Sequence, residues 1–139
     1  MTERPPAPDQ GARQRIVDEL DATLFVEAGA GSGKTSALVD RVVALVTTGT
    51  AELRNVAAIT FTEKAAAELR DRIRHRLETV AEHNAENEDG RRCREGLDQL
   101  DGAAIGTLHA FAQRLLSENP VEAGLPPQVE VLDEVTSAI

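Results

Sequence analysis

Apolar positions fall in two rhythms along this chain. Around Leu24, Phe25 and Val26, and again over Val56–Phe61 (VAAITF), they form short continuous runs, the pattern of buried strands. Elsewhere they recur every three or four residues, as in Leu38, Val39, Val42, Val43, Leu45 and Val46, or Ala66, Leu69, Ile73, Leu77 and Val80. That period belongs to helices, and the breadth of the first stripe implies burial on more than one side. The spacing predicts a short helix over Gln10–Leu20, a strand over Thr23–Glu27, and a helix from the following glycines to Val46. A strand over Val56–Phe61, a helix from Glu63 to Ala81, and a polar linker over Glu82–Gly90 come next. A short helix over Arg91–Leu100, a strand over Ala103–Thr107, and a helix over Leu108–Ser117 complete the regular pattern. Pro120–Pro127 reads as a loop, QVEVLDE after it offers a fourth strand, and the Pro-rich residues 1–9 are expected to be disordered. Strands alternating with helices imply βαβ units, hence a parallel sheet with helices on both faces.

Composition narrows this picture. With three Phe, no Tyr and no Trp, the core must be built from Val, Leu, Ile and Ala. The single cysteine, Cys93, excludes an internal disulfide and suits a reducing compartment. No run approaches the ~20 apolar residues of a membrane span, and a cytoplasmic protein without membrane contact is expected. A net charge of −9 argues against non-specific coating of nucleic acid, which rests on basic surface, but leaves room for a few placed contacts. Arg70, Arg72, Arg74 and Arg76 alternate with Glu68, Asp71 and Glu78, the mixture of a solvated helix face. Lys64 and Glu68, spaced i,i+4, read as a solvated pair. His75, His83, Cys93 and His109 show no metal-ligand spacing.

Between the first predicted strand and its helix lies AGAGSGKT, Ala28 to Thr35. A buried strand, a glycine-rich turn and a helix form the context of a phosphate-binding loop. Gly29, Gly31 and Gly33 allow backbone shapes that a Cβ forbids. They let amides near the helix N-terminus approach an anion, which the helix dipole favours. Lys34 can place a point charge on β- and γ-phosphates, and the Thr35 hydroxyl suits Mg²⁺, a cation that prefers oxygen ligands. Ala28 stands where the strict pattern has Gly. The pattern indicates a nucleoside triphosphate and says little about its use.

Two later stretches say more. AITFTEKAAAELRDRI and IGTLHAFAQRLL follow in order, and with them the chain resembles the UvrD/Rep-like superfamily 1 DNA helicases. AGAGSGKT looks like motif I of that family, ITFTEKAAAELRDRI like motif Ia, and GTLHAF like motif Ib. The upstream DQGARQRI looks like its adenine-reading Q motif. The segment between Ia and Ib, the stretch VEAGLPPQVEVLDE, and Ser36 in a place where UvrD and Rep often carry Arg, resemble the RecB/AddA helicase–nuclease branch.

The resemblance implies a P-loop NTPase of RecA-like fold, incomplete here, with residues 10–139 forming part of the first RecA-like domain. It implies ATP and Mg²⁺ as cofactors, with Gln10 on the base, Ala28, Gly29, Ala30, Gly31, Ser32, Gly33, Lys34, Thr35 and Ser36 around the phosphates, Lys34 and Thr35 in the catalytic set, and Thr35 on Mg²⁺. It implies single-stranded DNA as partner, touched by Thr60, Phe61, Thr62, Thr107 and His109. The remaining partners implied are a second RecA-like domain in the rest of a longer 3′–5′ helicase chain and a nuclease domain or subunit. Phe61 ends a buried run, so residue type assigns it to the core while the resemblance assigns it to a stacked base. His109 alone would be an ordinary helix-start histidine. VEVLDE imitates an acidic Mg²⁺ motif, but Glu130 interrupts its apolar run, and Asp133 and Glu134 fit a helix N-terminus better. A stand-alone small P-loop phosphotransferase and a non-catalytic nucleotide-binding remnant are the competing classes.

Overall fold

The computed structural model describes residues 8–126. Helix α1 (Gln10–Asp18) leads through an extended segment to the glycine loop and helix α2 (Lys34–Thr47). Strand β1 (Ala57–Thr60), helix α3 (Glu63–His83), helix α4 (Glu88–Gln99), strand β2 (Ala104–Thr107) and helix α5 (Leu108–Glu118) follow. Helix starts are written in the sequence. The Thr62 hydroxyl accepts from the Ala65 amide at 3.1 Å, the Asn87 side chain from Gly90 at 3.1 Å, and the Thr107 hydroxyl from Ala110 at 3.2 Å. Each satisfies an amide that the helix itself leaves without a partner.

β1 and β2 pair in parallel, with Ala58 beside Ile105 and Thr60 beside Thr107. Side chains alternate across a strand. Ala58 and Ile105 share one face and are buried in the core with Leu69, Ile73 and Leu77 of α3. On the other face, Ala110 of α5 lies 3.7 Å from where a Cβ on Gly106 would stand. Helices therefore approach this small parallel sheet from both sides. Val39, Val42, Val43 and Val46 of α2, with Cys93 and Leu100, extend the same core.

Three sequence expectations need correction. Thr23–Glu27 is not a strand: it pairs with no strand among the described residues, and Phe25 is 93% exposed. An apolar run becomes a strand only where neighbouring backbone supplies ladder partners, and among the described residues β1 and β2 pair with each other while nothing pairs with Thr23–Glu27. VAAITF is buried on one side only, because α3 covers the Ala58 face while Ile59 remains 41% exposed. The polar stretch Glu82–Gly90 is mostly helical. α3 runs to His83 and α4 begins at Glu88, leaving a turn of Asn84–Asn87 whose asparagines hydrogen-bond locally. Gly90 is needed there, since a Cβ on it would collide with the Asn84 carbonyl. The strand expected in QVEVLDE and the disorder expected over residues 1–7 lie outside the described residues. No described helix is long and apolar enough to cross a membrane.

Arg41 joins α1 to α2. Its guanidinium donates to the carbonyls of Ile16 (2.6 Å), Glu19 (3.2 Å), Leu20 (3.5 Å) and Ala22 (3.0 Å), gathering the end of α1 and the chain leaving it. Arg41→Ala is expected to lower stability by about 1–3 kcal/mol, because part-buried carbonyls lose a charged donor. Denaturant unfolding measures this, and an unchanged midpoint would show that water replaces the guanidinium without loss.

Candidate phosphate-binding site

The loop is shaped by two glycines in left-handed backbone, Gly31 at φ +75° and Gly33 at φ +85°. Other residues are strained there. Between them, Ser32 folds back: its amide donates to the Gly29 carbonyl at 3.3 Å and its hydroxyl to the same oxygen at 2.5 Å. Gly33 is the residue before α2, and its carbonyl accepts the Ala37 amide at 2.9 Å. The amides of Lys34, Thr35 and Ser36 precede the first residue that can bond back within the helix, so they point out of its N-terminus. No acidic side chain lies in that first turn. Lys34 crosses the loop, its Nζ donating to the Ala28 carbonyl at 2.9 Å. Thr35 and Ser36 are exposed beside it. Outward amides, a mobile ammonium, a hydroxyl and no competing carboxylate suit a polyphosphate with its Mg²⁺.

Gln10 opens α1 and is exposed. The α1 side that lines the cleft beside the loop, a space of about 110 Å³, is instead Asp9, Ala12, Arg13 and Ile16. Arg13 donates through Nη2 to the Ser32 carbonyl at 2.7 Å and through Nε to the Asp9 carboxylate at 2.8 Å. That hydrogen bond holds the Asp9 carboxyl below its ordinary range and raises the guanidinium. Arg13 was legible in principle: Asp9, Ala12, Arg13 and Ile16 are spaced i, i+3, i+4, i+7, one face of a helix whose buried residue is Ile16. A larger cavity of about 340 Å³ lies at the other end of α2, lined by Arg91, Arg92, Glu88 and Glu95. Its arginines are committed to those carboxylates and to the Thr47 carbonyl, so it presents no free cation to an anion.

The residues of the second and third motifs come together at the C-terminal ends of β1 and β2. Thr60 and Thr107 are register partners, and the Thr107 hydroxyl donates to Glu63 at 3.2 Å, tying the two strand ends. Phe61 follows β1 and is 96% exposed, which removes it from the core. Thr60 donates to the Thr62 carbonyl at 3.2 Å, and the Thr62 hydroxyl caps α3. His109 is exposed in the first turn of α5. Thr107 is 6% exposed, with its hydroxyl engaged by Glu63 and the α5 cap.

A glycine-rich turn leading into a helix N-terminus, within a mixed α/β domain, is a geometry able to receive an anion. Residues 10–138 match the UvrD/REP helicase N-terminal domain, and the chain belongs to that family. It is 39% identical over 121 residues to DNA helicase II of Haemophilus influenzae, covering 87% of this chain and 14% of that protein. It is 32% identical over 129 residues to an ATP-dependent helicase/nuclease subunit of Limosilactobacillus reuteri subsp. reuteri, covering 92% of this chain and 9% of the relative. It is 34% identical over 115 residues to the exonuclease/helicase subunit RexA of Lactococcus lactis subsp. cremoris, covering 83% and 10%. The chain thus spans a small fraction, 9–14%, of these relatives' length.

Proposed function

We propose that this chain supplies the ATP-binding, single-strand-contacting N-terminal part of a UvrD-like 3′–5′ DNA helicase acting in repair or recombination, built on a P-loop RecA-like fold. The observation that carries the reading is the loop itself: Gly31 and Gly33 turn the backbone into α2, and Lys34 lies across it. In this reading the loop amides and Lys34 hold the phosphates, and Thr35 offers its hydroxyl to Mg²⁺. Bound Mg²⁺–ATP would supply the phosphoanhydride bond whose hydrolysis drives movement along the strand. Family membership supports this over a stand-alone phosphotransferase. The names of relatives that are helicase/nuclease subunits support a nuclease domain or subunit as partner, and the small share of its relatives' length that the chain spans leaves room for a second RecA-like domain. A fluorescent ATP analogue titrated with Mg²⁺ tests the site; binding that unlabelled ATP does not displace would overturn it.

The single strand runs over the joined ends of β1 and β2. Phe61 offers a stacking face, and Thr62 and His109 hold phosphates from exposed positions, with Thr60 joining them at the strand end when its hydroxyl leaves the Thr62 carbonyl. Thr107 contributes by fixing α5, and hence His109, rather than by its occupied hydroxyl. In the longer helicase, Phe61→Ala is expected to weaken single-strand binding by about 1–3 kcal/mol with little base preference. Fluorescence anisotropy on oligo-dT and mixed-sequence strands reads this out. Since Phe61 is already exposed, folding should hold, and unchanged affinity would remove it from the track.

A further inference from the structure

We propose that Arg13 is a positioning residue of the phosphate loop, pinning one peptide plane so that its amide faces the anion. The inference rests on the phosphate-binding reading of the loop. A peptide unit is planar and trans, so the Ser32 carbonyl and the Gly33 amide point in opposite directions. The Arg13 Nη2 holds that carbonyl at 2.7 Å, from the α1 side. Gly33 N–H is thereby turned away from α1. The other side of Ser32 is tied as well, since its amide and hydroxyl both reach the Gly29 carbonyl. Arg13 is itself aimed by Asp9 through Nε at 2.8 Å. Gly33 then has two reasons to be glycine. Its φ is +85°, and a Cβ would stand 3.3 Å from the Arg13 Nη1. A planar fork that donates to a carboxylate and a carbonyl at once is arginine chemistry, which a lysine cannot reproduce.

The test titrates Mg²⁺–ATP and inorganic tripolyphosphate into the wild-type chain and the Arg13→Ala, Arg13→Lys, Asp9→Asn and Lys34→Ala variants by calorimetry. Gly31 and Gly33 amide shifts are followed by NMR without ligand. Arg13→Ala is expected to weaken both ligands by the same factor, about tenfold for one charge-assisted contact. The Gly33 amide should shift, and Arg13→Lys should recover only part of either effect. Asp9→Asn should fall between wild type and Arg13→Ala. If Lys34→Ala weakens binding while Arg13→Ala leaves affinity and the Gly33 shift unchanged, the positioning role is overturned and the site stands. Loss of ATP affinity with tripolyphosphate affinity intact would make Arg13 a nucleoside contact, which also overturns it. Binding of neither ligand by folded wild type removes the site and this inference together. Should Arg13→Ala fail to fold, a folded Arg13→Lys with wild-type affinity and shift overturns the proposal.

Discussion

Leu77→Ala is expected to lower the unfolding free energy by about 2–5 kcal/mol, the range for emptying a fully buried leucine site. Leu77 is completely buried on α3 and stands where three helices meet. A Cβ on Gly96 of α4 would lie 3.2 Å from Val46 Cγ1 of α2 and 3.6 Å from Leu77 Cδ1. The absence of a side chain on Gly96 therefore lets α4 close onto α2 and α3, and Leu77 fills the junction. With α4 already that close, its backbone has little room to collapse into the space an alanine leaves. The cost should fall toward the upper part of the range. Urea unfolding of the two proteins at matched slope gives the number. A loss under about 1 kcal/mol would show that the junction repacks. Val46 lies at the far end of α2 from Lys34, so the folded fraction should keep its affinity for Mg²⁺–ATP.

The helices of this core were legible because their apolar residues repeat with the helix period and their first residues carry caps. Thr62 and Thr107 each stand directly before a helix and each receives an amide from three residues on. Two parallel strands were legible as short apolar runs. What failed were readings of single stretches by residue type where the outcome depended on the neighbour. Leu24, Phe25 and Val26 read as a buried strand because their residue types suit one, yet a strand exists only where another backbone lies beside it, and none of the described residues does. Phe61 read as core by type and is almost fully exposed. The stretch EHNAENEDG read as linker because it is polar, although Asn87 caps α4 within it and the buried residues of α4 are the small Gly90, Cys93 and Gly96. Small residues bury a helix without raising its hydrophobicity. The turn before α2 was legible at Gly31 and Gly33, since their positive φ angles demand glycine. Its support was not, because the spacing of Asp9, Arg13 and Ile16 names a helix face without naming what that face meets.

Lys34→Ala is expected to weaken Mg²⁺–ATP binding by about 1.5–3 kcal/mol, the worth of a hydrogen bond to a charged group. At about 1.4 kcal/mol per tenfold, that is roughly ten- to more than a hundredfold in Kd. The geometry sets the direction. Lys34 holds the Ala28 carbonyl at 2.9 Å from an exposed position, so its ammonium already lies over the loop and can exchange a carbonyl for phosphate oxygens without burying or exposing the chain. Removing it should leave the fold alone, because neither Lys34 nor Ala28 belongs to the buried cluster. Stability and affinity therefore separate: unfolding midpoints should agree between the two proteins while the binding isotherms diverge. Salt adds a second axis. A contact between an exposed ammonium and a polyphosphate is screened, so the wild-type advantage should shrink from about 50 mM to about 500 mM salt. Equal affinity for both proteins at low salt, with both folded, would mean that the anion does not sit on this loop. The phosphate-binding reading of Ala28–Thr35 would then be wrong.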